Sequence, residues 1–550
     1  MHQIQQPGFT IAAVPDRVRN ERVFRARQIP LYALLSLVNV AAVAWVAVFW
    51  ASRAEWSAQT PAYALLTVSV LVGLTMFELR WFALPVMRRP RHIPVPPGLN
   101  VGVATTFVPG AEPLEMLDRT VRALVAMEYP HDTWVLDEGD DHEVRQMCAR
   151  LGARHFSRKG LEGYQQPHGT FEARTKHGNY NAWLDAVGYR RYDFVCAFDP
   201  DHVPEPHFLT RVLGYFSDAS VGYVQAPQFY YNQAASFVAR GAAEETYAYY
   251  SSIQMSSYAI GYPIVTGCHN SHRVTALQEV GGFAAHEADD LLITIYYRGA
   301  GWKGVYVPER LAAGLTPTST VDYLIQQRRW ARSVLDVKMR LFPGLARALP
   351  VRERVFSLVH GLYYLHGLAS ALSIGLLSFM LVTGLTPQVF AVRTGGRVLV
   401  LFGVLQLCDL FRQSFFLDRE RERGIHWRAG LLRLAKWPQV LLAVRDALAG
   451  PNRGYTMTRK VSSSKRYAAA PAHLIVAATV AVAWSTGMAR GVIHNDALSV
   501  GAAVAIALSL LVALSELRSF PPPYDDELAQ RALGPAVRPE AQPVVQRTAL

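Results

Sequence analysis

Charged residues are scarce in this chain. Asp, Glu, Lys and Arg make up 18% of its 550 residues, against about 25% in an ordinary soluble domain. Apolar residues reach 51%, which excludes an intrinsically disordered chain. Cysteine is scarce too: Cys148, Cys196, Cys268 and Cys408 are the whole complement, and no two stand in CxxC spacing. Zinc ribbons and redox dithiols are therefore unsupported, and no disulfide scaffold is expected. The N-terminus lacks the pattern of a cleavable signal peptide. Its first apolar run begins near Ile29, is too long for such a peptide and has no small-residue cleavage site. Acidic residues are the minority charge, 43 against 55 basic, a net charge of +12. Such an excess has two common origins, nucleic-acid binding or the cytoplasmic flanks of membrane spans, and placement decides between them.

The placement favours membrane flanks. Leu31–Trp50 and Pro61–Phe77 carry no charge and lie about ten residues apart, so they read as a helical hairpin through about 30 Å of hydrocarbon. Arg17, Arg19, Arg22, Arg25 and Arg27 precede the pair, Arg80, Arg88, Arg89 and Arg91 follow it, and the connecting loop has only Arg53. By the positive-inside rule the N-terminus and the region after Phe77 face the cytoplasm. Apolar character returns at Val355–Val392, too long for one simple span, so part of it is expected along the surface. Val398–Leu417 is a weaker span interrupted by Asp409 and Arg412, and Tyr467–Ala489 and Ala497–Ser515 are clean spans. The total is six, with both termini cytoplasmic. Between the last two pairs, Trp427–Leu448 sets Leu431, Leu432, Val440 and Val444 among Arg428, Arg433, Lys436 and Arg445, the pattern of an amphipathic helix in the interface. The Pro- and Ala-rich tail after Ser519 reads as disordered.

From about Pro97 to Pro343 the texture is different. Strand-like runs at Val101–Val108, Trp134–Leu136, Phe194–Phe198 and Val221–Gln225 alternate with helix-like stretches such as Glu115–Met127 and Tyr180–Val187. That alternation predicts an α/β domain on a largely parallel sheet. Its strands end in acid. Asp137-Glu138 closes one, and Asp199-Pro200-Asp201 follows another. Carboxylates at the C-terminal ends of such strands lie where α/β sheets bind ligands, and two of them one residue apart suit Mg²⁺ or Mn²⁺, which prefer oxygen. Taken singly, each motif reads equally as a turn with solvated acids. Asp289-Asp290 opens a predicted helix, where an Asp is commonly a cap. Gln326-Gln327-Arg328-Arg329-Trp330 offers a guanidinium for diphosphate and an indole for a sugar ring, or else a basic surface helix beside lipid.

In this order the four motifs resemble the processive membrane glycosyltransferases of family 2, the group containing bacterial cellulose synthase and hyaluronan synthase. The matching signature is an Asp motif (Asp137), DxD (Asp199-Pro200-Asp201), TED (Ala288-Asp289-Asp290) and QxxRW (Gln326, Arg329, Trp330). Lys176-His177-Gly178-Asn179 with Asn181 resembles the family's KxGN segment, and Val224–Phe229 its VQTPQ-type strand. Tyr455-Thr456-Met457-Thr458-Arg459-Lys460 resembles the FxVTxK gating loop of cellulose synthase. Two motifs depart from the pattern. Asp289 replaces the Glu of TED, and Gly267-Cys268-His269 replaces a Cys-Gly-Ser segment near the acceptor.

The resemblance implies an α-helical membrane bundle of about six spans carrying a cytoplasmic GT-A (Rossmann-like) α/β domain. The implied layout is a cytoplasmic segment 1–28, two spans in 29–80 and the GT-A domain at 97–343. An interface helix and two spans occupy 344–418, the amphipathic helix and gating-like loop 419–466, two spans 467–517 and the tail 518–550. It implies an inverting transfer from a UDP-sugar, glucose being favoured by the gating-loop match, to a growing β-linked polysaccharide that is moved across the membrane. The alternative is a non-processive transferase adding one sugar to a lipid or short acceptor. Asp137 and Glu138 would lie on the nucleobase side, with Lys176, Asp199 and Arg329 on the nucleotide. Asp199 and Asp201 would hold Mg²⁺ or Mn²⁺, and Asp290 would be the general base. Gln326, Trp330 and Cys268 would serve the acceptor, while Tyr455, Thr458 and Lys460 would close over the donor. Implied partners are the UDP-sugar donor, the polysaccharide, the bilayer and a periplasmic or accessory export subunit. The implied location is the bacterial inner (plasma) membrane. Too few residues follow Ser515 for a cyclic-di-GMP-binding domain, so regulation through one is not expected in this chain. Asp409 and Arg412 would either face a polysaccharide channel or pair with each other.

Nucleic acid is not an expected partner, because the α/β region shows no basic-aromatic binding signature. Ten of the 17 histidines lie between residues 131 and 286, and His269 and His272 stand in HxxH spacing. A zinc site needs three or four convergent ligands, so these two are expected to be structural or to line the acceptor.

Overall fold

The computed structural model describes residues 18–54, 60–450 and 467–518. The gating-like residues Tyr455, Thr458 and Lys460 and the C-terminal tail lie outside the described residues.

The α/β region forms around seven strands: β1 (Val101–Phe107), β2 (Asp132–Asp137), β3 (Arg154–Phe156), β4 (Phe194–Phe198), β5 (Val221–Gln225), β6 (Asn270–Arg273) and β7 (Lys303–Tyr306). Their spatial order is β7-β5-β6-β4-β1-β2-β3. β1, β2, β3 and β4 are mutually parallel, as are β5 and β7. β6 runs antiparallel to both neighbours, β4 and β5, so the sheet is mixed. Its sequence, Asn-Ser-His-Arg, carries no apolar run, which is why it gave no strand signal. The polar side chains are satisfied inside the sheet: Ser271 Oγ lies 3.0 Å from Cys196 Sγ, and Asn270 Nδ2 donates to the Thr266 carbonyl at 2.7 Å.

β4 and β5 are buried along their whole length, as expected of strands covered on both faces. Alternate residues of β4 enter opposite cores. Phe194, Cys196 and Phe198 join Phe208, Leu209 and Val212 on one side, and Val195 and Ala197 join Trp134, Tyr180 and Trp183 on the other. This is the two-residue period of a pleated strand. The first core also contains Trp81, Leu84, Met87, Cys408 and Phe415. One face of the sheet therefore rests directly on the ends of membrane-length helices.

Among the described residues, six helices are long and apolar enough to cross a membrane: Ala26–Ala51, Thr60–Val86, Leu365–Thr383, Val392–Phe415, Ala470–Ala489 and Asp496–Glu516. They match the six runs read from sequence, and the chain is an integral membrane protein. The fourth starts six residues earlier than its apolar run, because Arg397 is accommodated: its guanidinium lies 3.9 Å from the Phe49 ring centroid and 5.1 Å from that of Trp45. A cation over aromatic faces keeps its long stem in apolar surroundings. Asp409 and Arg412 pair with each other, and Gln413 Nε2 donates to Asp409 at 3.1 Å. Leu376, Met380 and Leu381 of the third helix pack with Val480 and Ala483 of the fifth and Leu498 and Ala502 of the sixth. The long apolar stretch after Val355 divides into a helix Val351–Gly361, a short turn and the third spanning helix.

The amphipathic helix is present at Trp427–Ala449, but its apolar face meets protein rather than open bilayer. Leu431, Leu432 and Ala435 pack with Val238, Ala242, Tyr323 and Leu324 of the α/β region and with Ala469 and Val512 of the bundle. Lys436, on the expected polar flank, is buried.

Candidate active site

A cavity of about 1440 Å³ opens at the C-terminal ends of β1 and β4 and reaches the second spanning helix at Met76, Leu79 and Arg80. Because β1, β2 and β4 are parallel neighbours, the residues following them converge on one edge. Lys176, Asp199, Asp201, Asp290, Arg329 and Trp330 all line this cavity, together with Glu138 and Gln326. These residues span nearly 200 positions of sequence, and the fold brings them to one chamber.

One end of the chamber is built around Lys176. Thr175 caps the helix Lys176–Trp183, its Oγ1 accepting from Gly178 N at 3.1 Å. A Cβ at Gly178 would lie 2.2 Å from the Glu172 carbonyl oxygen and 2.7 Å from Arg158 Nη1, so only glycine fits there. Asn179 Nδ2 donates to the Leu136 carbonyl at 3.0 Å, and Asn181 exchanges two hydrogen bonds of 2.8 Å with the Phe283 backbone. The KxGN segment thus braces the helix that delivers Lys176. The lysine ammonium lies 2.5 Å from Asp199 Oδ1 and also donates to the Gly267 carbonyl. Burial opposes its charge, but Asp199, with Tyr180 and Asp289 behind it, holds Lys176 well above the ordinary lysine range.

Asp201 is fully buried, and its Oδ2 accepts from Leu315 N at 3.2 Å. One donor atom each from Asp199, Asp201 and His202 lies within 4.8 Å of the others. Two carboxylates and an imidazole are a donor set that fits Mg²⁺ or Mn²⁺.

Asp289 and Asp290 open the helix Asp289–Gly299. Asp289 Oδ1 accepts from Asp290 N at 2.9 Å, and Asp290 Oδ1 from Leu291 N at 2.7 Å. A Cβ at Gly267 would lie 3.9 Å from both Asp290 Oδ2 and Lys176 Nζ, so the two face each other across that glycine. Burial, then the neighbouring Asp289 carboxylate, pushes Asp290 up to about 7, with Lys176 and Arg329 pulling against the shift. A carboxylate there can accept a proton near neutral pH.

Gln326, Arg329 and Trp330 project from one face of the helix Thr320–Asp336, whose N-terminus Ser319 caps by accepting from Asp322 N at 3.1 Å. The spacing i, i+3, i+4 is that of one helix face. Arg328 faces away and pairs with Asp446 at 2.5 Å. Trp330 is 38% exposed, leaving its ring open to the chamber.

Two sequence-selected residues stand behind the wall. Asp137 is fully buried; its carboxylate accepts from Gly139 N at 2.9 Å, from Asp141 N at 2.5 Å, and lies 3.0 Å from His155 Nε2. Those contacts shape the turn after β2 and present Glu138 to the chamber. Cys268 is fully buried, its Sγ receiving Gln228 Nε2 at 3.0 Å and lying 3.3 Å from His202 Nδ1. His269 is buried beside it, and burial, with His202 adding, pushes its imidazole down to about 3.

Sequence reading missed several contributors. Arg158, fully buried, makes two 2.9 Å hydrogen bonds to Glu138 and donates to the carbonyls of Tyr164, Phe171, Glu172 and Thr175. One guanidinium thereby ties the Glu138 turn to the loop before Lys176. It carries no motif, so nothing local marked it. Lys436 reaches the chamber from the amphipathic helix, 2.9 Å from Glu245, Gln327 and Tyr363. His202 directly follows DxD, and that adjacency was the available signal.

A mixed α/β sheet with acidic residues at its strand ends, joined to six membrane-length helices among the described residues, is the architecture expected of a GT-A domain in a membrane protein. Residues 102–333 match the family model described as glycosyltransferase like family 2. The chain is 27% identical over 307 residues to the UDP-forming cellulose synthase catalytic subunit of Xanthomonas axonopodis pv. citri, covering 54% of this chain and 40% of that protein. It is 25% identical over 346 residues to the cellulose synthase 1 catalytic subunit of Komagataeibacter xylinus, covering 61% and 44%. The chain thus spans less than half the length of these relatives. Among solved structures, the mannosyltransferase PcManGT of Pyrobaculum calidifontis, in complex with GDP-Man and Mn²⁺, is similar with a TM-score of 0.48 and 15% identity, over 71% of this chain and 98% of that one.

Proposed function

We propose that the protein transfers glucose from UDP-glucose, with inversion, to the end of a β-linked glucan and passes the growing chain across the membrane. The observation that carries this reading is the single chamber that holds Asp199, Asp201, Asp290, Arg329 and Trp330 and continues to the spanning helix at Arg80. A donor can be activated at one end of it while an acceptor leaves at the other. The relatives, UDP-forming cellulose synthase catalytic subunits, support the donor and product class.

In the reaction, Trp330 stacks on the terminal acceptor sugar and Gln326 holds it. Asp290 takes the proton from the acceptor hydroxyl, and the oxygen attacks the anomeric carbon from the face opposite the nucleotide. The bond from that carbon to the diphosphate oxygen breaks, and UDP leaves with the electron pair. Lys176 and Arg329 offer positive charge where that diphosphate develops its own. Asp199, Asp201 and His202 would hold a divalent cation, which when bound supplies further charge neutralisation on the leaving group. Glu138, fixed by Arg158, bounds the nucleotide side.

Asp290→Asn tests the base. Purified in detergent with UDP-glucose, Mn²⁺ and acceptor, the variant should release UDP about 10²–10⁴-fold more slowly. Wild-type turnover would overturn the assignment. Product size tests processivity: a long glucan is expected, and a single-sugar adduct would replace this reading with the non-processive one.

A further inference from the structure

The segment Gly267-Cys268-His269 folds in a way its HxxH spacing did not suggest. His272 turns into the sheet, where Nδ1 lies 3.0 Å from Tyr297 Oη and Nε2 2.8 Å from Asn270 Oδ1, so both its nitrogens are engaged. His269 turns the other way and meets His202. His202 Nδ1, Cys268 Sγ and His269 Nε2 converge: Nδ1 lies 2.7 Å from Nε2 and 3.3 Å from Sγ. One donor atom from each of these three buried residues lies within 4.8 Å of the other two.

We propose that His202, Cys268 and His269 form a binding site for Zn²⁺, distinct in ligand chemistry from the carboxylate site beside it. One thiolate and two imidazoles are borderline-to-soft donors that select Zn²⁺ over Mg²⁺. The spacing is close to what the ion requires. Zinc bonds of about 2.0–2.1 Å to nitrogen and 2.3 Å to sulfur, at tetrahedral angles, separate two nitrogens by about 3.3 Å and a sulfur from a nitrogen by about 3.6 Å. The sulfur–nitrogen gap therefore needs a few tenths of an ångström, and the two rings must part by about half an ångström.

The surroundings are those of a ligand set. His269 Nδ1 lies 3.0 Å from the Pro227 carbonyl, so it carries the proton and leaves the Nε2 lone pair facing the cluster. Gln228 Nε2 donates to Cys268 Sγ at 3.0 Å, a bond that favours the thiolate. His269 also adopts φ 58°, a left-handed state that a non-glycine residue keeps only when its surroundings enforce it. The enforcement is visible: its N–H donates to the Ala197 carbonyl at 3.0 Å, and its own carbonyl accepts from Ala226 N at 3.0 Å. That backbone state aims the ring at His202.

Binding balances in protons. The Cys268 thiol loses its proton to solvent as the metal–sulfur bond forms. His202 Nδ1, the donor to His269 without metal, moves its proton to Nε2, which lies 3.7 Å from Asp201 Oδ2. One proton is released per ion. The shared ring links the two sites, because a metal on Nδ1 takes the Nε2 lone pair away from the carboxylate side.

The test uses the full chain in detergent, stripped by a chelator and titrated with Co²⁺ alone. A near-ultraviolet thiolate-to-cobalt band should saturate at one equivalent, disappear on adding Zn²⁺, be absent in Cys268→Ser and persist in Asp199→Asn. No band in the wild type, or a band retained in Cys268→Ser, overturns the proposal. Should Cys268→Ser fail to fold, X-ray absorption of the zinc-loaded wild type decides. One sulfur and two nitrogen neighbours support the site, and an all-oxygen shell overturns it.

Discussion

Asp290 combines two properties that matter at the scale of a single residue: it lines the chamber, and its carboxyl is pushed up to about 7 by burial and by Asp289. Only the ionised form can accept a proton. The rate at low substrate should therefore rise with pH, with unit slope below about 7, and level off above it. Asp290→Asn should remove that limb, as a pH profile of UDP release would show. The sign for stability is opposite. A carboxyl whose folded value is raised above its unfolded value favours the folded state in acid, and this contribution is lost as pH rises through about 7. Thermal unfolding of the wild type should therefore weaken between pH about 4 and 7 more than that of Asp290→Asn. Asp137 makes a different case. Its carboxylate is spent on two backbone N–H groups and His155. Asp137→Ala should cost about 1–3 kcal/mol in unfolding free energy, since it strands buried donors. Any change in donor KM should come through the Glu138 turn.

Among the elements, the helix Trp427–Ala449 joins the two halves of the molecule. It packs on the helices Thr320–Asp336 and Phe237–Ala248 of the α/β region, and it carries Lys436 to the ion pair with Glu245. Side-chain exposure at that pair is 1% and 9%, so solvent screens it little. Removing one partner leaves a buried charge, and Lys436→Met should destabilise by about 3–5 kcal/mol. Lys436→Met with Glu245→Leu should recover much of that loss, a double-mutant comparison read by thermal unfolding. Arg328 and Asp446 join this helix to Thr320–Asp336 at 2.5 Å. Periodicity located this helix within one residue at each end, because its apolar stripe is local. Which surface would meet the stripe was not legible, since bilayer and protein are both apolar partners. Lys436 was accordingly assigned to a polar flank.

For the whole molecule, the chamber runs from the strand ends to the spanning helices, so the proposed function places chemistry and export in one space. In inside-out membrane vesicles given UDP-glucose, polysaccharide should accumulate in the lumen, protected from added glucanase until detergent opens the vesicle. Product found only outside would break the link to translocation. Chelation should stop turnover, and Mn²⁺ or Mg²⁺ should restore it, as a UDP-release assay would show.

Sequence alone determined what depends on short-range pattern. The six spans follow from long apolar runs, the strands β1, β2, β4 and β5 from shorter apolar runs, and the order of carboxylates from motif spacing. Tertiary structure alone decided what depends on residues far apart in the chain. β6 is a strand because β4 and β5 accept its polar sequence between them. Asp137 and Cys268 stand behind the wall because neighbouring loops claim their polar atoms. His202 and His269 meet across 67 positions because β4 and β6 are adjacent and antiparallel. Local pattern carries hydrophobic period and turn chemistry, while convergence requires knowing which strands are neighbours, and that is settled only when the sheet closes on its two cores.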